Sequence, residues 1–162
     1  MNKLLKKNLK GYSLMELLIV ISIIAIISAI AVPSYLAARR ASYEASAIGT
    51  LRTLVNSQLS YQLTNGGGRN FAGDLNVLIQ AGLADSSFAT GSKSGYKYVV
   101  TGTAANEDAA SKFDITAIPI TPNGVNATGT RSFYSNETGV IYFLEGATAP
   151  ERSDTGSNGK AL

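Results

Sequence analysis

The sequence contains no cysteine, no histidine and no tryptophan. Without cysteine no disulfide can form, and zinc or haem sites built on Cys or His are excluded. A histidine general base and a cysteine nucleophile are excluded as well. The missing cysteines do not fix the redox compartment, because exported proteins can also lack them. Charge is scarce too: 15% of residues are Asp, Glu, Lys or Arg, against about 25% in an average soluble domain. The length of 162 residues suits one domain. An ordinary hydrolase or metalloenzyme is disfavoured, and the sequence assigns no catalytic residue, no cofactor and no metal ligand.

The net charge of +3 is an uneven sum. Lys3, Lys6, Lys7 and Lys10 precede all eleven acidic residues. Removing those four from the fourteen basic residues leaves ten against eleven acids, so residues 12–162 carry a formal −1. The body has no broad positive field for phosphates, and no direct nucleic-acid binding is expected.

Behind the lysines stand Gly11, Tyr12, Ser13, Leu14, Met15 and Glu16, then the uncharged run 17–32, LLIVISIIAIISAIAV. As a helix, residues 12–32 span roughly 32 Å, close to the ~30 Å apolar core of a bilayer. In lipid a single segment satisfies its backbone only as a helix. The lysines before the run outnumber Arg39 and Arg40 beyond it, which favours a cytoplasmic N-terminus and an exported body. Three readings of this segment compete. Ala29-Ile30-Ala31 resembles the A-x-A cleavage site of a secretory signal peptide. A plain anchor would leave Glu16 as an interfacial acid. The third gives Glu16 a partner: a carboxylate at membrane depth costs about 2.5–3.5 kcal/mol on insertion scales. No Lys or Arg lies between Gly11 and Arg39, but cutting after Gly11 would create an amine nearby.

Lys10-Gly11-Tyr12-Ser13-Leu14-Met15-Glu16, the apolar run and Pro33 resemble the class III signal of type IV prepilins and of the pseudopilins of type II secretion. The resemblance implies cleavage between Gly11 and Tyr12, N-methylation of Tyr12, and a charge pair between Glu16 and the N-terminus of a neighbouring subunit. Tyr12 stands where Phe is usual in the family, and Ala25 where many members have Gly. Alanine favours the helix by about 0.8–1.0 kcal/mol over glycine. Pro33, without an N–H, predicts a kink near residues 29–33.

Beyond Pro33 the pattern turns amphipathic. Ala41, Ala45, Ile48, Leu51, Val55, Leu59 and Leu63 recur three or four apart and predict a helical stripe against a sheet. Asn65-Gly66-Gly67-Gly68 stops the helix, which therefore runs from about residue 12 to 64. Asp74 is placed to cap a short helix over 75–80, ended by Gly82. Strands are predicted over 96–101, 112–120, 131–135 and 140–144, with Asn136-Glu137-Thr138-Gly139 turning the last pair. Glu107, Asp108 and Asp114 lack EF-hand spacing and read as a turn plus a strand residue. Lys93 and Lys97 beside Tyr96 and Tyr98 read as a half-exposed strand rather than a stacking patch. Asn126-Ala127-Thr128 and Asn136-Glu137-Thr138 match glycosylation sequons, weak evidence in a bacterial chain.

The expected fold is α+β: a long N-terminal α-helix, transmembrane in its first half, on a small antiparallel β-sheet of about four strands, pilin-like. The expected division is a leader over 1–11, a membrane and assembly half over 12–33, a head over 34–144, and a polar, flexible tail over 145–162. The expected role is a subunit of a type IV pilus-like filament, with a type II secretion pseudopilin as alternative. A secreted binding or enzymatic domain on a signal peptide is the distant alternative. The resemblance implies these partners: further copies of the chain in a helical filament, a prepilin peptidase and N-methyltransferase, an inner-membrane assembly platform with its ATPase, a secretin, and membrane lipid before assembly. It implies a single-pass protein of the bacterial inner membrane with its head outside the cytoplasm, later part of a pilus or pseudopilus.

Overall fold

The computed structural model describes residues 11–153 and 159–162. Residues 1–10, with their four lysines, and residues 154–158 lie outside the described residues, so that much of the expected leader and tail is not described. Helix α1 runs over Leu14–Thr64. The chain divides into two compact units, Met1–Leu36 and Ala37–Leu162.

In the first unit the helix carries its apolar side chains outward. Every large one from Leu14 to Val32 is between 51 and 78% exposed. The segment is long and apolar enough to cross a membrane. Helical backbone continues through Pro33, which has no N–H to donate to the preceding turn.

The second unit holds the rest of α1, helix α2 (Leu75–Gln80), a 3₁₀ turn (Ser86–Thr90), and strands β1 (Ser92–Lys93), β2 (Tyr96–Thr103), β3 (Lys112–Pro119), β4 (Arg131–Asn136), β5 (Ile141–Glu145) and β6 (Lys160–Ala161). The strands form one sheet in chain order, and every neighbouring pair is antiparallel. The sheet has six strands where the sequence predicts four. The two extra ones, β1 and β6, are two residues long, too short to show the period-2 alternation that marks a strand.

Punctuation in the sequence acts where it was expected. Past Thr64 the N–H groups of Asn65 and Gly66 both donate to the Tyr61 carbonyl, at 2.9 and 2.7 Å, and Gly68 N–H donates to Gln62 at 2.8 Å. Gly67 and Gly68 take left-handed φ values of 63° and 72°, which glycine adopts at no steric cost. The Asp74 carboxylate accepts from the Val77 N–H at 3.0 Å and caps α2.

The core lies between α1 and one sheet face. It gathers Ala47, Leu51 and Leu54 with Leu78, Tyr96, Phe113, Ile115 and Phe133. The buried face of α1 differs from the predicted stripe. It comprises Glu44, Ala47, Thr50, Leu51, Leu54, Val55, Ser57 and Gln58, while Ala41, Ala45, Leu59 and Leu63 are exposed. The helix is rotated away from its most apolar line because Glu44 and Gln58 have partners waiting in the head. Strand β4 is buried on both faces. Phe133 enters the core, and Tyr134, next along the strand, faces the other side by the pleat.

Candidate functional site

Two groups of residues stand out: the start of α1 and the polar contacts that fasten the head. At the start of α1, the Ser13 N–H donates to Glu16 Oε2 at 2.8 Å. The Ser13 hydroxyl accepts from the Met15 N–H at 3.3 Å. Together they form a capping box: each side chain satisfies a donor that the first turn leaves without an intrahelical partner. The negative charge also sits at the positive end of the helix dipole. The signal for this cap is the pattern Ser13-x-x-Glu16, a role beside the interfacial and intersubunit ones that the sequence suggests for Glu16. The structure brings Gly11, Tyr12 and Glu16 together at one helix end, and Pro33 lies further along the same helix. Tyr12 is exposed.

In the head, Glu44 is 7% exposed and is met from three sides. Its Oε1 accepts from the Thr130 N–H at 2.8 Å and the Thr130 hydroxyl at 3.1 Å. Its Oε2 accepts from Arg131 Nε at 2.8 Å and pairs with Nη2 at 2.7 Å. Burial alone would raise the Glu44 carboxyl. The Thr130 N–H, the Arg131 hydrogen bonds and charge, and the Thr130 hydroxyl outweigh burial and hold it below the usual carboxylate range. This pair joins α1 to the start of β4 across 87 residues of chain.

Gln58, wholly buried, donates to the Ala72 carbonyl at 3.0 Å and accepts from the Ala72 N–H at 2.8 Å. It thereby pairs both backbone groups of a residue that no helix or strand satisfies. On the opposite face of the sheet, Arg152 pairs with Glu137 at 2.6 Å and with Asp114 at 3.0 Å, and donates to the Phe113 carbonyl at 2.8 Å. Tyr134 donates to Asp114. The Arg152 hydrogen bonds lead in holding the Glu137 carboxyl below its ordinary value. Glu44, Gln58 and Arg152 carried no sequence signal, since each depends on a partner distant in the chain.

Asp114 is thus engaged by Tyr134 and Arg152, while Glu107 and Asp108 lie in the 104–111 loop, where Asn106 accepts from the Asp108 N–H. No group of three Asp, Glu, His or Cys able to hold a metal lies among the described residues. Tyr96 and Tyr98 are core residues, so their rings are not a stacking platform, and Lys93 lies over the Phe88 ring at 4.5 Å. Of the two sequons, Asn126 is exposed and Asn136 is buried.

The prokaryotic N-terminal methylation motif matches residues 6–32. The chain is 36% identical over 96 residues to the type IV wide pilus major component PilA4 of Thermus thermophilus, a match covering 57% of this chain and 71% of that protein. No solved structure matches the chain. Methylation motif, exposed apolar half-helix and sheet-bearing head agree with that relationship, and the chain belongs to the type IV pilin family.

Proposed function

We propose that the chain is made as a prepilin, cut between Gly11 and Tyr12, N-methylated on Tyr12, and polymerised through the first half of α1 into a pilus. The observation that carries this reading is the apolar surface from Leu14 to Val32, which is without cover among the described residues and holds a single acid, Glu16. A surface of that size demands lipid or other copies of the same helix. Lipid covers it while residues 12–33 anchor the subunit in the inner membrane, with the N-terminus cytoplasmic and the head outside. Neighbouring helices cover it in the filament.

Cleavage turns the Gly11–Tyr12 bond into an amine four residues before Glu16. The amine of an incoming subunit then meets the carboxylate of a docked one where water is scarce. Each charge is tolerable there only with the other. A subunit slipped along the axis would leave two unpaired charges, so the pair fixes axial register. The partners are a peptidase–methyltransferase, an assembly platform with its ATPase, a secretin, and further copies of the chain. The subunit is structural, a substrate of the peptidase.

Intact-mass and N-terminal peptide spectrometry of the purified mature chain test this. A chain starting at Tyr12 with one added methyl group is expected. A start at Val32 would replace the pilin reading with ordinary secretion. The lack of cysteine, and hence of the C-terminal disulfide loop of many pilins, favours the pseudopilin of a type II secretion system as second reading. Surface filaments recovered by shearing support the pilus, and filaments confined to the periplasm support the pseudopilus.

A further inference from the structure

Three Asn-Gly pairs occur in the chain: Asn65-Gly66, Asn123-Gly124 and Asn158-Gly159. Asparagine is thermolabile, because the backbone nitrogen of the next residue can attack its side-chain amide. Glycine in the next position leaves that nitrogen open to approach, since it carries no Cβ. Whether the attack occurs then depends on how firmly the fold holds the glycine nitrogen. Asn158 lies outside the described residues, and the other two pairs are held in opposite ways.

At the end of α1 the glycine is tied down. The Gly66 N–H donates to the Tyr61 carbonyl at 2.7 Å, and the Gly66 carbonyl accepts from the Asn70 N–H at 3.0 Å. A Cβ added to Gly66 would collide with the Asn70 carbonyl oxygen. Asn65 Oδ1 accepts from the Thr64 hydroxyl at 2.7 Å. Bringing the Gly66 nitrogen onto Asn65 Cγ would break its hydrogen bond and disturb the helix stop. The other pair sits at the tip of the β3–β4 loop. The base of that loop is clasped: the Thr128 N–H donates to the Thr121 carbonyl at 2.8 Å, and the Thr121 N–H donates to the Thr128 hydroxyl oxygen at 3.1 Å. Beyond the clasp Asn123, Gly124 and Val125 are exposed. Neither the Gly124 N–H nor the Asn123 side-chain amide has a hydrogen-bond partner among the described residues. Around the place of a Cβ on Gly124 there is open space within 4 Å. Exposed tips with few backbone hydrogen bonds open at the least cost in free energy.

We propose that Asn123 is a site of spontaneous deamidation through a cyclic imide, and that the fold protects Asn65 from the same reaction. Solvent hydroxide removes the Gly124 N–H proton, and the nitrogen electron pair forms a bond to Asn123 Cγ. The Cγ–Nδ2 bond breaks, and Nδ2 takes up protons from water and leaves as ammonia. One water then opens the imide ring. Breaking the bond between the Gly124 nitrogen and Cγ gives aspartate. Breaking the bond between that nitrogen and the Asn123 carbonyl carbon gives isoaspartate, with the chain running through the side chain. In sum one water enters and one ammonia leaves, with no oxidant, reductant or enzyme. Either product puts a carboxylate on the exposed loop. The eleven acids of residues 12–162 become twelve against ten bases, and the formal charge moves from −1 to −2. The head thereby carries a chemical record of its age, whatever the chain assembles into.

The full chain, purified in detergent, is incubated at neutral pH in water enriched in heavy oxygen. It is then cleaved under acid conditions, and its peptides are sequenced by mass spectrometry. Heavy oxygen marks only those products whose imide opened during the incubation, and reading single peptides keeps Asn158 apart from the other two. Labelled aspartate and isoaspartate at position 123 should accumulate about tenfold faster than at position 65, the effect of one hydrogen bond that must break first. In guanidinium chloride, where the fold no longer distinguishes the two pairs, their rates should converge. Gly124→Ala should slow conversion at position 123 and leave that at 65 unchanged. The comparison of 65 with 123 uses the unaltered chain, so it stands even where Gly124→Ala strains a residue with φ of 92° and disturbs the loop. Equal rates at 65 and 123 in the folded chain would overturn the inference. So would a difference that persists in guanidinium chloride, or an unlabelled position 123 over a time in which the denatured chain converts.

Discussion

The two halves of α1 invert the usual rule of burial. From Leu14 to Val32 the apolar side chains point outward, while in the head the same helix buries Glu44 and Gln58 and leaves Leu59 and Leu63 in the open. Apolar content therefore does not say which half of this helix is inside the folded chain. What decides is whether a complementary surface exists in the same molecule. The head supplies one: it offers Thr130, Arg131 and the Ala72 backbone to two polar side chains. Nothing in the described chain covers the first half, whose surface is completed only by lipid or by other subunits.

The sharpest break of this contrast within the head is Gln58→Ala. It removes two hydrogen bonds and strands a buried N–H and C=O, each costing about 1–3 kcal/mol unpaired. A loss of roughly 3–5 kcal/mol is expected by urea unfolding, and a loss below about 1 kcal/mol would show that Ala72 finds other partners.

Glu44→Ala ranks next, at about 2–3 kcal/mol, below the full cost of breaking a buried pair because the Arg131 side chain is 31% exposed and turns to water. The same residue sets an acid dependence. An unfolded glutamate titrates near about 4.3, and the folded carboxyl is held lower. Its stabilisation is therefore complete above the unfolded value and is lost as pH falls through the folded one. Glu44→Gln should flatten that acid limb of stability below about pH 4.3 and lower stability at neutral pH, where the ionised carboxylate contributes in full. An unchanged limb would assign acid sensitivity to other carboxyls, Glu137 first.

The smallest effect sharpens the comparison from the other side. Leu63, 77% exposed, belongs to the predicted stripe, and Leu63→Ser should change stability by no more than about 0.5 kcal/mol. A loss of about 2 kcal/mol, the scale of a buried leucine, would restore the apolar stripe as the packing face.

Local chemistry was the legible part. Asp74 before an apolar pair, three glycines after Thr64 and the Asn136–Gly139 turn each act within a few residues, so their elements fall where the sequence puts them. β1 and β6 were invisible because two residues carry no period. The buried face of α1 was misread because hydrophobic spacing cannot register a glutamate whose partner lies 87 positions away. The N-terminal motif was legible in its spacing of Gly11, Tyr12 and Glu16, within the stretch 6–32 that the methylation motif matches. The Ser13 cap is carried by a separate S-x-x-E pattern that overlaps the Gly11–Glu16 motif at Glu16, so one residue serves two local signals.

The cap that Glu16 makes on its own helix and its proposed pairing with a neighbour make the most direct test a comparison of two substitutions in cells. Sheared filaments and membrane-bound mature subunit are quantified for Glu16→Ala and Ser13→Ala at equal subunit levels. Glu16→Ala should leave export and cleavage nearly intact, lower filament yield strongly, and accumulate mature subunit in the inner membrane. Ser13→Ala, which removes the hydroxyl side of the cap and spares the carboxylate, should leave most filaments in place. Normal filament numbers for Glu16→Ala, or an equal loss for both variants, would contradict the account and leave apolar packing, or the cap alone, to set the register.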